Sequence, residues 1–135
     1  MIQQTFILAL QAAESGLGEY PVFFNFIPAE VDVAIMVDSP IPGFTIDPDL
    51  PGYYNDDIEI VVRHSSAREG FALCEAVIEA LESTNRRLGD YHFNYIRASN
   101  RPTAYPATAG GLKEFAVGFE FSCYLAVQTG EQNGS

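Results

Sequence analysis

Residues 114–127 constrain this chain more than any other stretch. Their odd positions, Phe115, Val117, Phe119, Phe121, Cys123, Leu125 and Val127, are all apolar, while Glu114, Gly118, Glu120 and Ser122 fall between them. Side chains alternate across a strand with a period of two, so the run predicts one long strand with a single face turned to a core. At about 3.3 Å per residue it spans roughly 40 Å, about twice the usual strand length. A strand that long outruns its own sheet and meets something else.

The rest of the chain supplies partners for it. Ile2, Phe6, Leu10 and Ala13 recur at helical spacing over residues 2–14, and Gly16 and Gly18 end that helix. Residues 22–27 read as a short apolar strand. Residues 31–38 read as a half-buried one, with Val31, Val33, Ile35 and Val37 on one face and Asp32, Ala34, Met36 and Asp38 on the other. Residues 57–64 resume the alternation through Ile58, Ile60 and Val62. Ser66 and Glu69 then form a capping-box pattern that opens a helix over 67–83, with Phe71, Cys74, Val77, Ile78 and Leu81 as its apolar stripe. The NRRLGD sequence at 85–90 reads as a turn. A strand follows at 91–97, with Tyr91, Phe93 and Tyr95 on one face. Non-helical connections favour antiparallel pairing. The expectation is therefore an α+β fold, α-β-β-β-α-β-β, with a single mostly antiparallel sheet of four to five strands packed against two helices. Residues 1–128 form one domain, within the usual domain size, and 129–135 a disordered tail.

Two irregular stretches interrupt this pattern. Residues 39–56 hold four prolines, which exclude a helix or a central strand, yet also Ile41, Phe44, Ile46, Leu50, Tyr53 and Tyr54. Such a stiff, greasy segment is a candidate docking arm, and local packing over its own core is the competing reading. Residues 98–113 form the second stretch, with Pro102, Pro106 and the pair Gly110-Gly111.

Charge and chemistry exclude several functions. The net charge is −11; residues 1–62 hold ten acids and no Lys or Arg, whereas 63–135 hold all seven basic residues and eight acids. That balance opposes gripping nucleic acid, which needs cations against phosphate. No apolar run approaches a membrane span, and no basic residue precedes the short N-terminal apolar run as it would in a secretory signal. Cys74 and Cys123 fall on apolar faces outside any CxxC pattern, which predicts reduced core thiols. His64 and His92 lie on different strands without ligand spacing, as strand-end or sheet-surface residues. Asp56, Asp57 and Glu59 lack the spacing of a calcium loop. The segment ATAGGLK lacks the GxxxxGK[ST] phosphate-loop pattern and runs into a strand. No catalytic constellation, metal site or cofactor is expected, and the chain reads as a structural protein, not an enzyme.

Three segments carry a resemblance to a known family. Tyr53-Tyr-Asn-Asp-Asp-Ile-Glu-Ile-Val-Val-Arg63, the helix ending Ile78-Glu-Ala-Leu81, and Gly89-Asp-Tyr-His-Phe-Asn-Tyr-Ile-Arg-Ala98 resemble the tail terminator proteins of long-tailed bacteriophages, also grouped with phage minor capsid proteins. The strand Glu114-Phe-Ala-Val-Gly-Phe-Glu-Phe121 fits the same pattern, so the resemblance covers about residues 53–125. It implies a ring subunit, usually a hexamer, that sits on the head-proximal end of the tail tube in the virion. There it stops tube polymerisation and offers the docking surface for the head. The implied partners are copies of itself, the tail tube protein and a head-tail connector or neck protein, with genome DNA passing through the lumen and no membrane. On that reading Ile41, Phe44, Ile46, Tyr53 and Tyr54 are candidates for subunit or tube contacts, and Arg101 and Tyr105 for contacts along the tube axis. Six copies would carry six times the charge of −11, so salt should help the ring assemble. The competing readings are another connector, neck or tube subunit, or a small acidic cellular binding module.

Overall fold

The computed structural model describes residues 2–13, 17–38, 53–104 and 113–126. They form helices α1 (Ile2–Gln11) and α2 (Ala67–Leu81), a 3-10 turn (Leu17–Glu19), and seven strands. The strands are β1 (Val22–Phe24), β2 (Ala34–Asp38), β3 (Tyr53–His64), β4 (Ser83–Leu88), β5 (Tyr91–Ala98), β6 (Thr103–Ala104) and β7 (Lys113–Leu125). One sheet runs in the order β1-β2-β3-β7-β5-β4, with β6 on β7 beside β5, and only the β1–β2 pairing is parallel. The α+β architecture is as expected, with β4 and β6 added to the strands read from sequence.

The long strand lies in the middle. Every residue of β3 pairs with β7, from Tyr53 with Tyr124 to His64 with Lys113. On one face, Ile58, Ile60 and Val62 of β3 and Phe115, Val117, Phe119, Phe121 and Cys123 of β7 are buried in a single cluster. Ile35, Val37, Phe93 and Ile96 extend it across the sheet, and Ile2, Phe6, Leu10, Leu73, Cys74, Val77 and Leu81 close it from the helices. Phe6 seats its ring 5.5 Å from both Phe93 and Phe121. The alternation of β7 holds through Cys123, whereas Leu125 at the strand's end is exposed and Val127 lies outside the described residues.

Local chemistry explains where the elements differ from expectation. The Ser66 hydroxyl accepts the Glu69 amide at 3.3 Å, which starts α2, and Glu82 turns extended with ψ 126°, so the helix stops at Leu81. The helix is also rotated relative to the predicted stripe. Gly70 and Leu73 are buried, Ile78 is half-buried and Phe71 is exposed. The cause is Phe115. A Cβ on Gly70 would stand 2.2 Å from its ring, so only glycine lets the ring press onto the helix backbone. Phe71 then covers the same ring from outside, with centroids 4.8 Å apart.

Residues 83–88 pair with β5 instead of forming a turn; the turn is Gly89-Asp90, with φ +58° at Gly89. A two-residue hairpin with glycine first in that conformation matches strand twist. In β5 a bulge between Phe93 and Tyr95 shifts the alternation, so Ile96 joins Phe93 in the core while Tyr95 faces the other way. Residues 31–33 precede β2, and residues 53–56, expected within the irregular stretch, begin β3. The expected tail, 129–135, lies outside the described residues.

Candidate assembly surface

Both helices pack on one face of the sheet, which leaves the other face without a helix among the described residues. This open face is polar and graded along the strands. At one end Arg63 donates from Nε and Nη2 to Glu114 and from Nη1 to the Pro28 and Val31 carbonyls, at 2.8–3.1 Å. That fork ties the segment after β1 to the central strands, at the end where Ala34, Val61 and Ala116 are buried. At the other end Tyr53 stacks on Tyr124 with centroids 6.0 Å apart, and the His92 ring lies 5.1 Å from Tyr124. Asn94 links Tyr53 to β7 by donating to the Tyr53 hydroxyl at 2.9 Å and to the Ser122 hydroxyl at 3.1 Å.

Between these ends the face is ionic. Asp38 sits opposite Glu59, and Asp57 opposite Glu120, in register. Arg97 bonds Glu120 and places its guanidinium 4.3 Å above the Tyr95 ring. Burial pushes the Asp38 carboxyl above its ordinary value of 3.8.

The candidate residues separate under this geometry. Tyr53 and Tyr54 belong to β3 and point to opposite faces. Tyr53 joins the open-face aromatic group, whereas Tyr54 meets Tyr91 edge-on at 6.2 Å on the helix side. Arg101 lies in the connection from β5 to β6, almost fully exposed, 3.2 Å from Glu75 of α2. Ile41, Phe44, Ile46 and Tyr105 lie outside the described residues. The 99–104 stretch folds back along β7. The Ser99 amide donates to the Gly118 carbonyl, and the Gly118 amide to Asn100 Oδ1 at 2.9 Å. A Cβ on Gly118 would meet that oxygen at 2.9 Å and the Ser99 hydroxyl at 3.0 Å.

Catalytic chemistry finds little to work with among the described residues. No group of three or more His, Cys, Asp or Glu is placed to hold a metal ion there. Cys74 and Cys123 are buried, and desolvation pushes each thiol up to about 12, away from the thiolate a nucleophile needs. His64 accepts the Ser66 amide at Nδ1 and so braces the start of α2. The outer surface of α2 carries a shallow depression lined by Ala72, Ala76, Ile78 and the carboxylates of Glu75, Glu79 and Glu82. No described helix is long and apolar enough to cross a membrane.

Residues 10–125 match the family described as bacteriophage tail terminator protein. The chain belongs to the bacteriophage tail terminator family. The fold is shared with a chain from the virion of a native gene transfer agent particle, which superposes with a TM-score of 0.69 at 15% identity, over 91% of this chain and 94% of that one. No curated protein matches the sequence. A tail terminator is a structural protein of the phage tail, which turns attention to its surfaces.

Proposed function

We propose that this terminator forms a closed ring on the head-proximal end of the tail tube, stops tube polymerisation there and presents the docking surface for the head or neck. The match to the terminator family over residues 10–125 carries the reading. The protein would act sterically: one face of the ring binds the last tube ring, and the other lacks the surface that recruits the next tube subunit. The implied contacts are with copies of itself, the tube protein and a head-tail connector, within the virion. Ile41, Phe44, Ile46 and Tyr53 remain our candidates for subunit or tube contacts. Tyr54, turned to the helix side, would contribute through its rim position. Arg101 and Tyr105 remain candidates for axial contacts. The net charge of −11 suits a lumen through which DNA slides, because like charge repels phosphate.

Negative-stain microscopy with light scattering, at high protein concentration in low and high salt, tests the reading. Closed rings with a central hole are expected. Open-ended tubes would instead identify tube-like polymerisation, and a monomer under every condition would overturn self-assembly into a ring.

A further inference from the structure

The two borders of the sheet carry opposite charge. The stretch from Glu19 to Asp38, which builds β1, β2 and their connection, contains Glu19, Glu30, Asp32 and Asp38 and no basic residue. The stretch from Ser83 to Ala98, which builds β4 and β5 at the far border, contains Arg86, Arg87 and Arg97 against the single acid Asp90. Sequence order hides this polarity; it appears only because the sheet places β1 and β4 at opposite ends.

The basic border is only partly neutralised among the described residues, with the Glu82 carboxylate just before β4 accepting the Ala98 amide. Arg97 has Glu120, but Arg86 donates to the Ala80 carbonyl at the end of α2, and Arg87 donates through Nε to the Gly89 carbonyl of its own turn. Neither Arg86 nor Arg87 has an ion-pair partner among the described residues. Arg87 stands opposite His92, whose ring meets Tyr124 on the open face. At the acidic border Glu30 and Asp32 are exposed. Phe24 and Phe26 of the same stretch are 37% and 65% exposed, an apolar anchor of the kind that dominates interface energies.

We propose that copies of this chain join head to tail across these borders, β4 of one against the β1–β2 border of the next. The proposal rests on the ring reading and names the surfaces that make the ring. Charges on an edge strand are a common guard against promiscuous pairing. Here the guard is selective: β4 repels another β4, the acidic border repels its own kind, and only unlike borders match. Such a contact is heterologous, the type that closes into a ring when its rotation permits. It also fixes direction, since a copy cannot be inserted the other way round.

A charge exchange tests this at fixed salt, because overall repulsion between copies and attraction between borders respond oppositely to salt. One variant carries Thr84→Glu and Arg87→Glu, making both its borders acidic. The other carries Glu19→Lys, Glu30→Lys and Asp32→Lys, making both basic. Each alone should lose at least about tenfold of its assembled mass by light scattering. An equimolar mixture should regain it as alternating rings. Circular dichroism and melting temperature show whether each variant folds. The milder Arg87→Gln and Asp32→Asn, each weakening assembly alone, serve if one does not. If both variants assemble as the parent does, or the mixture stays dispersed, the border contact is overturned while the ring reading stands. If the unmodified protein never self-associates, both fall together.

Discussion

The two faces of β3 and β7 are built from the same strands yet obey different rules. Under the helices, Ile58, Ile60, Phe115, Val117, Phe119 and Phe121 form a dry face in which each side chain is held by shape. On the open face, Arg63 and Glu114 at one end, Arg97 and Glu120 in the middle, and Tyr53 and Tyr124 at the other end are held by hydrogen bonds and ring contacts. The difference assigns separate work to each. The helix face carries most of the stability, and the open face is free to carry recognition, except where a specific bond network ties it down.

Phe119→Ala, on the helix face, should break the fold most, at about 3–5 kcal/mol in denaturant unfolding, because it empties a ring-sized site in the core beneath the helices. Arg63→Ala tests the exception. It orphans the Pro28 and Val31 carbonyls and leaves Glu114 without its partner, so a loss of about 2–3 kcal/mol is expected. A loss below about 0.5 kcal/mol would mean the open face is energetically idle throughout. Gly118→Ala should cost less, about 1–2 kcal/mol, by pushing Asn100 and Ser99 off β7. Hydrogen exchange at the Ser99 and Gly118 amides reads the release directly.

Asp38→Asn should have the smallest effect and the opposite sign. Burial raises this carboxyl in the folded state, so the native form is favoured when Asp38 is protonated, and that stability declines as pH rises above 3.8. The Asn variant should therefore melt slightly above the parent at neutral pH. The gain should disappear once the pH falls below 3.8, which a pair of melting curves shows.

Much of the helix face was legible in the chain, because period-two and period-3.6 patterns are local. The alternation of Phe115 through Cys123 and the Ser66 cap translate directly into β7 and α2. What escaped was decided by neighbours. Ser83–Leu88 has no apolar alternation, since an edge strand at the polar border of a sheet needs none, and so it read as a turn. The β5 bulge and the rotation of α2 arise from fitting Phe93, Ile96 and Phe115 into one core. The open face was least legible. Tyr53 and Tyr54 are adjacent in sequence, but strand geometry sends them to opposite sides, and Asp57 meets Glu120 only through a register set far along the chain.

The pairing of β3 with β7 has a further consequence, in time instead of space. Its partners lie about 50 residues apart at His64 and Lys113 and about 70 apart at Tyr53 and Tyr124, so the centre of the sheet is made of distant contacts, which form slowly. β7 follows the other described strands in the chain, and it is also the one that divides the sheet. Until the ribosome has extruded it, β1–β2–β3 and β4–β5 have no common partner to unite them. A nascent chain therefore cannot complete this sheet before β7 has emerged.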